Sequence, residues 1–185
     1  LFQCTNNDQV KNLINTKKIR FYIGFDCTAK SLHVGSLIQI MCLRLLQKYG
    51  HTPVVLLGGG TTLIGDPSGK DESRKILSSK EINKNITSIK KVFQKFLKSK
   101  GKNKVIFVNN KNWLSNLNYI DFLRKYGKYF TINKMLTFDS VKNRLDREQS
   151  LSFLEFNYMI FQAYDFLILN EKQKVELQIG GSDQW

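Results

Sequence analysis

The stretch RFYIGFDCTAKSLHVGS, residues 20–36, decides the fold class. Its first part is mostly aromatic and aliphatic and ends in a polar loop, which predicts a strand. From about residue 32 to residue 49, apolar residues recur at helical spacing and predict a helix with a wide apolar stripe. The stripe contains Leu37, Met41, Leu45 and Tyr49, with Ile38, Cys42 and Leu46 beside it. The run TPVVLLGGG, residues 52–60, predicts a second strand, so the whole forms a βαβ unit with a parallel sheet.

The same alternation continues along the chain. A long polar loop leads into a basic amphipathic helix, and KVIFVNN at 104–110 predicts a third strand. Residues 113–147 show helical patches without a strand signal, which indicates an insertion. Ser152 and Glu155 have the spacing of a capping box that opens a helix running to about residue 170, and KVELQIGG predicts the last strand. We therefore expect one α/β domain, a Rossmann-like parallel sheet with flanking helices and a mostly helical insertion.

The composition limits the class of protein without naming a function. The 185 residues are 42% hydrophobic, which is enough for a buried core. The cysteines Cys4, Cys27 and Cys42 lack metal-ligand spacing, so we expect no disulfide framework and no tightly bound metal. The net charge of +14 fits an anionic partner such as nucleic acid, but codon bias toward A and T explains scattered lysines equally well, and both interpretations stay open. Without a long apolar run or a secretory pattern, we expect no membrane association and a location in the cytosol or an organelle lumen, of which we assign the cytoplasm.

Three loops follow predicted strands: FDCTAKSLHVG at 25–35, GGGTTLIGDPSGK at 58–70 and GGSDQ at 180–184. Open α/β sheets bind ligands at this edge, so we expect the site there. The second loop fails both common phosphate motifs. A Walker A loop needs one more residue between the last two glycines, and it needs Ser or Thr after the Lys, where this chain has Asp. A dinucleotide fingerprint needs a third glycine where this chain has Leu63. Neither a P-loop NTPase nor hydride transfer is therefore supported.

The first loop suits phosphate chemistry. A helix that begins near residue 32 would point free N–H groups at a ligand, and Gly35 would let the ligand approach the backbone. Glycine there costs on the order of 1 kcal/mol relative to alanine, which indicates that the position is used. Thr28 and His33 could then donate to phosphate oxygens, although a lone His near a helix start is often a structural residue.

The late helix carries a second signal. Tyr158, Gln162 and Asp165 fall at i, i+4 and i+7, so they share one face of an otherwise apolar helix. A solvated face would more often carry Lys and Glu, as the rest of this chain does. The pattern therefore favours a phenol, an amide and a carboxylate that line a pocket.

Together these motifs closely resemble the tyrosyl-tRNA synthetases of bacterial and organellar type, which are class I aminoacyl-tRNA synthetases. The segments that carry the resemblance are YIGFDCTAKSLHVGS, GGGTTLIGDPSGKDESR, NYMIFQAYD and LQIGGSDQW, in unbroken order. The resemblance implies that tyrosine attacks the α-phosphate of ATP, with Mg²⁺, to give tyrosyl-adenylate, and that the tyrosyl group then passes to tRNA(Tyr). It also implies a homodimer.

The resemblance also implies roles for individual residues. Catalysis at the phosphates would involve Thr28, His33, Lys70 and Arg74. Tyrosine would be bound by Tyr22, Asp66, Tyr158, Gln162, Asp165 and Gln184. ATP and the adenylate would be bound by Gly24, Asp26, His33, Gly35, Ser36, Gly181 and Asp183. The phenol would lie between Tyr22 and Asp165, a polar pair that suits a phenol better than the indole of a tryptophan-specific synthetase.

The chain departs from the family pattern in two places. Ser36 replaces the second histidine of a signature usually written His-Ile-Gly-His, and a lysine-rich loop that clamps pyrophosphate would lie beyond Trp185. We therefore interpret residues 1–185 as part of a catalytic domain, without the anticodon-binding and C-terminal RNA-binding regions, and expect it to be inactive alone. The segment at about 111–150 would serve dimerisation. Candidate interface residues are Phe130, Leu136, Phe153 and Leu154, for which ordinary core packing is an equal alternative. A non-catalytic RNA-binding or scaffolding relative is the main rival function.

Overall fold

In the part of the chain that the structure describes, four parallel strands form a central sheet. The structure is a computed structural model and describes residues 3–65 and 77–181. Its strands are β1 (Arg20–Asp26), β2 (Thr52–Gly58), β3 (Ile106–Asn109) and β4 (Val175–Gln178). They lie in the order β3-β2-β1-β4, and every described pairing is parallel. This confirms the predicted Rossmann-like sheet, and the strand order reverses direction between β1 and β4, where such folds open a crevice.

Helices flank the sheet and fill the connections. The longer helices are α1 (Asn7–Thr16), α2 (Ser36–Lys48), α4 (Ser79–Phe96), α6 (Tyr119–Lys125), α8 (Asp139–Asp146) and α10 (Tyr158–Gln173). Single turns are α3 (Thr61–Ile64), α5 (Lys111–Leu114), α7 (Ile132–Met135), α9 (Phe153–Phe156) and a 3₁₀ turn (Gly127–Tyr129). Of the residues 111–150, none lies in a strand, as predicted for the insertion.

The core divides between the two faces of the sheet. Because side chains alternate along a strand, Phe21, Ile23 and Phe25 of β1 point to the face that α2 and α4 cover. Tyr22 points to the opposite face, where it packs with Leu169 of α10. Both faces are therefore buried, as is usual in parallel sheets. The hydroxyl of Tyr22 is consequently carried into the interior on the side of α10.

Helix α2 differs from the prediction in its start and in its buried face. It begins at Ser36, four residues later than expected, because residues 33–35 form turns in which the Ser36 N–H donates to the His33 carbonyl at 2.9 Å. Gly35 is thus the N-cap and does not lie in the first turn. The predicted stripe is 43% exposed at Leu37 and 65% exposed at Tyr49. The buried positions are instead Ile40, Leu43 and Gln47, since apolar residues surround much of this helix.

The late helix is interrupted near its start. Ser152 and Glu155 form the predicted capping box, with the Glu155 N–H donating to Ser152 Oγ at 3.2 Å. It caps only the turn α9, and α10 begins anew at Tyr158. The Asn157 side chain donates to the Phe153 carbonyl at 2.6 Å and so competes with the helical backbone at the break. The break separates Phe153 on the exposed turn from the polar residues of α10.

Candidate functional site

A cavity of about 210 Å³ opens at the carboxyl ends of the strands, between β1, the turn after β2 and α10. This is the edge at which ligands bind in open α/β sheets. Its lining includes eight residues that were predicted from the sequence to belong to the site: Tyr22, Gly24, Asp26, Thr28, Tyr158, Gln162, Asp165 and Gly181. Their chain positions span most of the sequence, so the fold brings together the first loop, α10 and the last loop.

Tyr22 lines the cavity and has a buried hydroxyl. The residue is 1% exposed, and its ring packs against Phe166 with centroids 5.5 Å apart. Its hydroxyl has no hydrogen-bond partner among the described residues. Burial raises the pKa of this phenol, and the charge of Asp165 raises it further, so the group stays protonated. A buried polar group without a partner is rare in proteins, and on a residue that lines a cavity it is a candidate contact for a polar ligand atom.

Asp165 is a buried carboxyl held by two donors. It is 2% exposed, and it accepts hydrogen bonds from Asn110 Nδ2 at 2.9 Å and from Trp113 Nε1 at 2.7 Å. Burial raises its pKa to about 7, the charge of Asp26 raises it too, and the two hydrogen bonds act in the opposite direction. Each carboxylate oxygen has two lone pairs and accepts from one of these donors, so the group can accept a further hydroxyl from the cavity.

The raised pKa of Asp165 makes stability depend on pH. An ordinary aspartate has a pKa of about 4, and in this fold the pKa is about 7. The stabilising contribution of such a group is fully present below about pH 4 and is lost as the pH rises through about 7. As the pH rises from about 4 to above 7, we expect the melting temperature of the wild type to fall relative to that of the Asp165→Asn variant. Scanning calorimetry across the range checks this, and parallel curves for the two proteins would contradict it.

Asp26 is oriented by two hydroxyl groups. Thr61 Oγ1 donates to its Oδ1 at 2.9 Å, and the Tyr158 hydroxyl donates to its Oδ2 at 3.2 Å. Gly58 must lack a side chain here, because a Cβ would overlap Asp26 Oδ1 and lie 2.6 Å from Thr61 Oγ1. The Asp26 carboxylate therefore faces the cavity in one fixed orientation, with β1, α3 and α10 each contributing to its position.

The first loop is anchored at its start. The Cys27 N–H donates to Thr62 Oγ1 at 2.8 Å, and Asn85 Nδ2 donates to the Cys27 carbonyl at 2.8 Å. Thr28 follows and lies on the cavity wall. The structure does not bring His33, Gly35 or Ser36 onto that wall. His33 is exposed, and its Nδ1 accepts from the Gly35 N–H at 3.1 Å, so in this conformation the imidazole faces its own turn.

Several nominated residues lie outside the described ranges: Asp66, Lys70, Arg74, Asp183 and Gln184. Within those ranges, no group of three His, Cys, Asp or Glu side chains could hold a metal ion. No helix in the same ranges is long and apolar enough to cross a membrane.

Sequence reasoning missed three residues that shape the site: Thr61, Asn110 and Trp113. Asn110 and Trp113 contact Asp165, and Thr61 contacts Asp26. A signal for Asn110 was present, because the polar pair Asn109 and Asn110 directly follows the third strand, at the edge where ligands bind. Thr61 lies in the loop at 58–70 that was expected at this edge, although its side chain was not singled out. Trp113 had no comparable signal.

The sequence model of a family described as tRNA synthetases class I (W and Y) matches residues 14–185. The chain belongs to this family. Curated relatives of this class I synthetase chain support the resemblance to tyrosyl-tRNA synthetases. The chain is 69% identical to the tyrosine–tRNA ligase of Pelagibacter ubique, over 100% of this chain and 45% of the relative. It is 62% identical to that of Wolbachia pipientis, over 100% of this chain and 44% of the relative.

Solved structures give the same family. The synthetase chain matches a C-terminally truncated mitochondrial tyrosyl-tRNA synthetase of Aspergillus nidulans with a TM-score of 0.87 at 32% identity, over 97% of this chain and 53% of that chain. A tyrosyl-tRNA synthetase of Archaeoglobus fulgidus complexed with L-tyrosine has a TM-score of 0.67 at 23% identity, over 96% of this chain and 50% of that chain, and shows the common fold. The chain thus spans less than half the length of the curated relatives named above.

Proposed function

We propose that the full-length protein activates tyrosine with ATP to tyrosyl-adenylate and transfers the tyrosyl group to tRNA(Tyr). One observation carries the proposal: the buried Tyr22 hydroxyl, unpaired within the described ranges, lies in the same cavity as the Asp165 carboxyl. This pair offers one donor and one acceptor to a single polar atom. A phenol oxygen, which both accepts and donates, matches the pair. The high identity to proteins named tyrosine–tRNA ligase supports the same substrate.

Tyrosine would enter with its phenol toward Tyr22 and Asp165. Its ammonium group would then lie toward Tyr158, Gln162 and Asp66, and its carboxylate toward Gln184. A site that hydrogen-bonds a substrate hydroxyl rejects the analogue that lacks it, because its buried polar groups are left unpaired. Tyrosyl-tRNA synthetases are themselves the established example of this effect, with discrimination of about 10⁵ against phenylalanine.

The first step would join the two ends of the cavity. A tyrosine carboxylate oxygen attacks the α-phosphorus of ATP, and pyrophosphate leaves with the electron pair of the broken P–O bond.

Several residues would hold the nucleotide during this step. The adenylate would be lined by Gly24, Asp26, Gly181 and Asp183, and Gly35 and Ser36 would lie beside it at the end of the first loop. Thr28 and His33 would donate to phosphate oxygens, where preorganised donors stabilise developing charge. Lys70 and Arg74 would neutralise pyrophosphate. Mg²⁺ would be held mainly by the phosphates, as in other ATP sites.

The other partners follow from the family. We propose that the segment at about 111–150 and the turn α9 form a homodimer interface. Phe153 is 70% exposed and Leu154 51%, as a docking surface requires, and Leu136 is exposed too, whereas Phe130 is partly buried against Phe122 and its neighbours. We further propose a cytoplasmic location and no association with membranes.

The reaction is tested in the full-length protein by pyrophosphate exchange. Exchange that depends on tyrosine, and is much weaker with tryptophan or phenylalanine, supports the proposal. A folded full-length protein that binds tRNA without any amino-acid-dependent exchange would instead indicate a scaffolding relative.

Replacing Tyr22 by phenylalanine should change affinity and stability in opposite directions. Loss of the hydroxyl removes one hydrogen bond to the phenol of tyrosine, so the Kd for tyrosine should rise roughly three- to tenfold. The free protein should become more stable by about 1 kcal/mol, because a buried hydroxyl without a partner among the described residues is removed. Equilibrium dialysis and urea unfolding measure the two effects. A destabilised variant with unchanged tyrosine affinity would contradict the assignment.

A further inference from the structure

Thr61 lies in the hydrogen-bond network between the two carboxyl groups of the cavity, those of Asp26 and Asp165. It is the first residue of α3, it is 3% exposed, and it lines the cavity. Its Oγ1 is 2.9 Å from Asp26 Oδ1 and 3.1 Å from Asn110 Nδ2. Asn110 Nδ2 is in turn 2.9 Å from Asp165 Oδ2. One threonine and one asparagine therefore connect the carboxyl at the phenol end with the carboxyl at the other end.

The direction of each hydrogen bond in this chain is fixed. Asn110 Oδ1 accepts from the Gly60 N–H at 2.7 Å, and this bond assigns the positions of the amide oxygen and nitrogen. The Asn110 amide nitrogen can only donate, and it has two hydrogens for its two neighbours, Thr61 and Asp165. The Thr61 hydroxyl accepts one of them and therefore has its single proton left for Asp26. Because the amide nitrogen cannot accept, neither of its two bonds can run in the opposite direction.

The fixed direction orients Asp26. One carboxylate oxygen takes the Thr61 proton and the other takes the proton of Tyr158. Gly58 fits against both Asp26 and Thr61 without a side chain. Asn110 Nδ2 donates to both Thr61 and Asp165, so a further donor that reaches Asp165 also affects the bond from Asn110 to Thr61.

We propose that Thr61 is a positioning residue that orients the Asp26 carboxylate through its hydroxyl proton and links it to the phenol-binding end through Asn110. This proposal rests on the proposed function, because it states how tyrosine bound near Asp165 affects the position of Asp26, which would line the adenylate. Thr61 itself need not touch the reacting atoms. Its removal should slow adenylate formation more than it weakens tyrosine binding.

The test compares Thr61→Val with Thr61→Ser in the full-length protein. Valine keeps the shape and lacks the hydroxyl, and serine keeps the hydroxyl. We expect kcat for tyrosine-dependent pyrophosphate exchange to fall roughly 10- to 100-fold in Thr61→Val, since a hydrogen bond to a charged group is lost. The Kd for tyrosine should change less than about threefold, and Thr61→Ser should stay within about threefold of wild type in both quantities. Thr87→Val, the same change on the exposed side of α4, is the matched control.

The outcomes separate the two proposals. A wild-type protein without tyrosine-dependent exchange overturns the proposed function. An active wild type whose Thr61→Val variant keeps its kcat overturns the positioning role, and so does a Thr61→Ser variant as impaired as Thr61→Val. If Thr61→Val does not fold, as judged by circular dichroism, Thr61→Ala takes its place with the same expected split between kcat and Kd.

Discussion

The Asp165→Ala variant of the full-length protein is expected to lose its preference for tyrosine over phenylalanine. In the wild type, the buried carboxyl would accept the phenol proton, and phenylalanine would leave it unpaired. Without the carboxyl, the ratio of kcat/KM for the two amino acids should fall by at least about a thousandfold, mostly through loss of activity with tyrosine. Pyrophosphate exchange with each amino acid measures the ratio directly.

The same substitution also affects the fold, so it needs a control. It leaves Asn110 Nδ2 and Trp113 Nε1 without the acceptor that they share, at about 1–3 kcal/mol for each buried donor. Melting curves must therefore show that the variant is folded at the assay temperature. Leu167→Ala, on the exposed side of α10, should leave the ratio unchanged. Equal losses for tyrosine and phenylalanine in Asp165→Ala would remove Asp165 from the specificity site.

Gly58→Ala is expected to slow adenylate formation by at least about a hundredfold, because a misplacement of about 1 Å near reacting groups has effects of this size. The added methyl group would overlap Asp26 Oδ1 and lie 2.6 Å from Thr61 Oγ1. Asp26 cannot rotate away without breaking its hydrogen bonds to Thr61 and Tyr158. Single-turnover formation of tyrosyl-adenylate in the full-length protein is the measurement.

The neighbouring glycine provides the matched control for this steric effect. A methyl group on Gly59 would also meet a close neighbour, but that neighbour is the Asn109 side chain, which is absent from the cavity wall. Gly59→Ala should therefore lower stability while its folded fraction reacts at close to the wild-type rate. If Gly59→Ala and Gly58→Ala slow the reaction equally, general crowding of the turn explains both, and the orientation of Asp26 is not the cause.

The sheet could be predicted from the sequence, whereas the buried face of α2 could not. The apolar run of β1 and the crossover to β2 restrict the sheet to parallel pairing in the right-handed sense. In α2, apolar residues surround much of the helix, so spacing alone does not say which of them face the strands. Ile40 and Leu43 are buried and Leu37 and Tyr49 are exposed because of where β1, β2 and α4 lie, which helical periodicity does not encode.

In the site, too, local features could be predicted from the sequence, and contacts between distant parts of the chain could not. Tyr158, Gln162 and Asp165 could be predicted to share a face, because helical geometry is local. The partners of Asp165 could not, since Asn110 and Trp113 lie more than fifty residues earlier in the chain and reach it only after β3 and α10 are packed. His33 shows the reverse case, in which a local motif was recognised but the side chain points to its own turn in this conformation.

The turn after β2 limits how this pocket can change. An added methyl group would meet a different neighbour at each of its three glycines. It would meet Asp26 and Thr61 at Gly58, Asn109 at Gly59, and Leu114 at Gly60. Of these three glycines, Gly58 lines the cavity, and its position leaves no space for a side chain. Under the proposed function, directed evolution toward amino acids with altered rings must therefore change other lining positions, with Tyr22 on β1 and Gln162 on α10 as the positions to randomise.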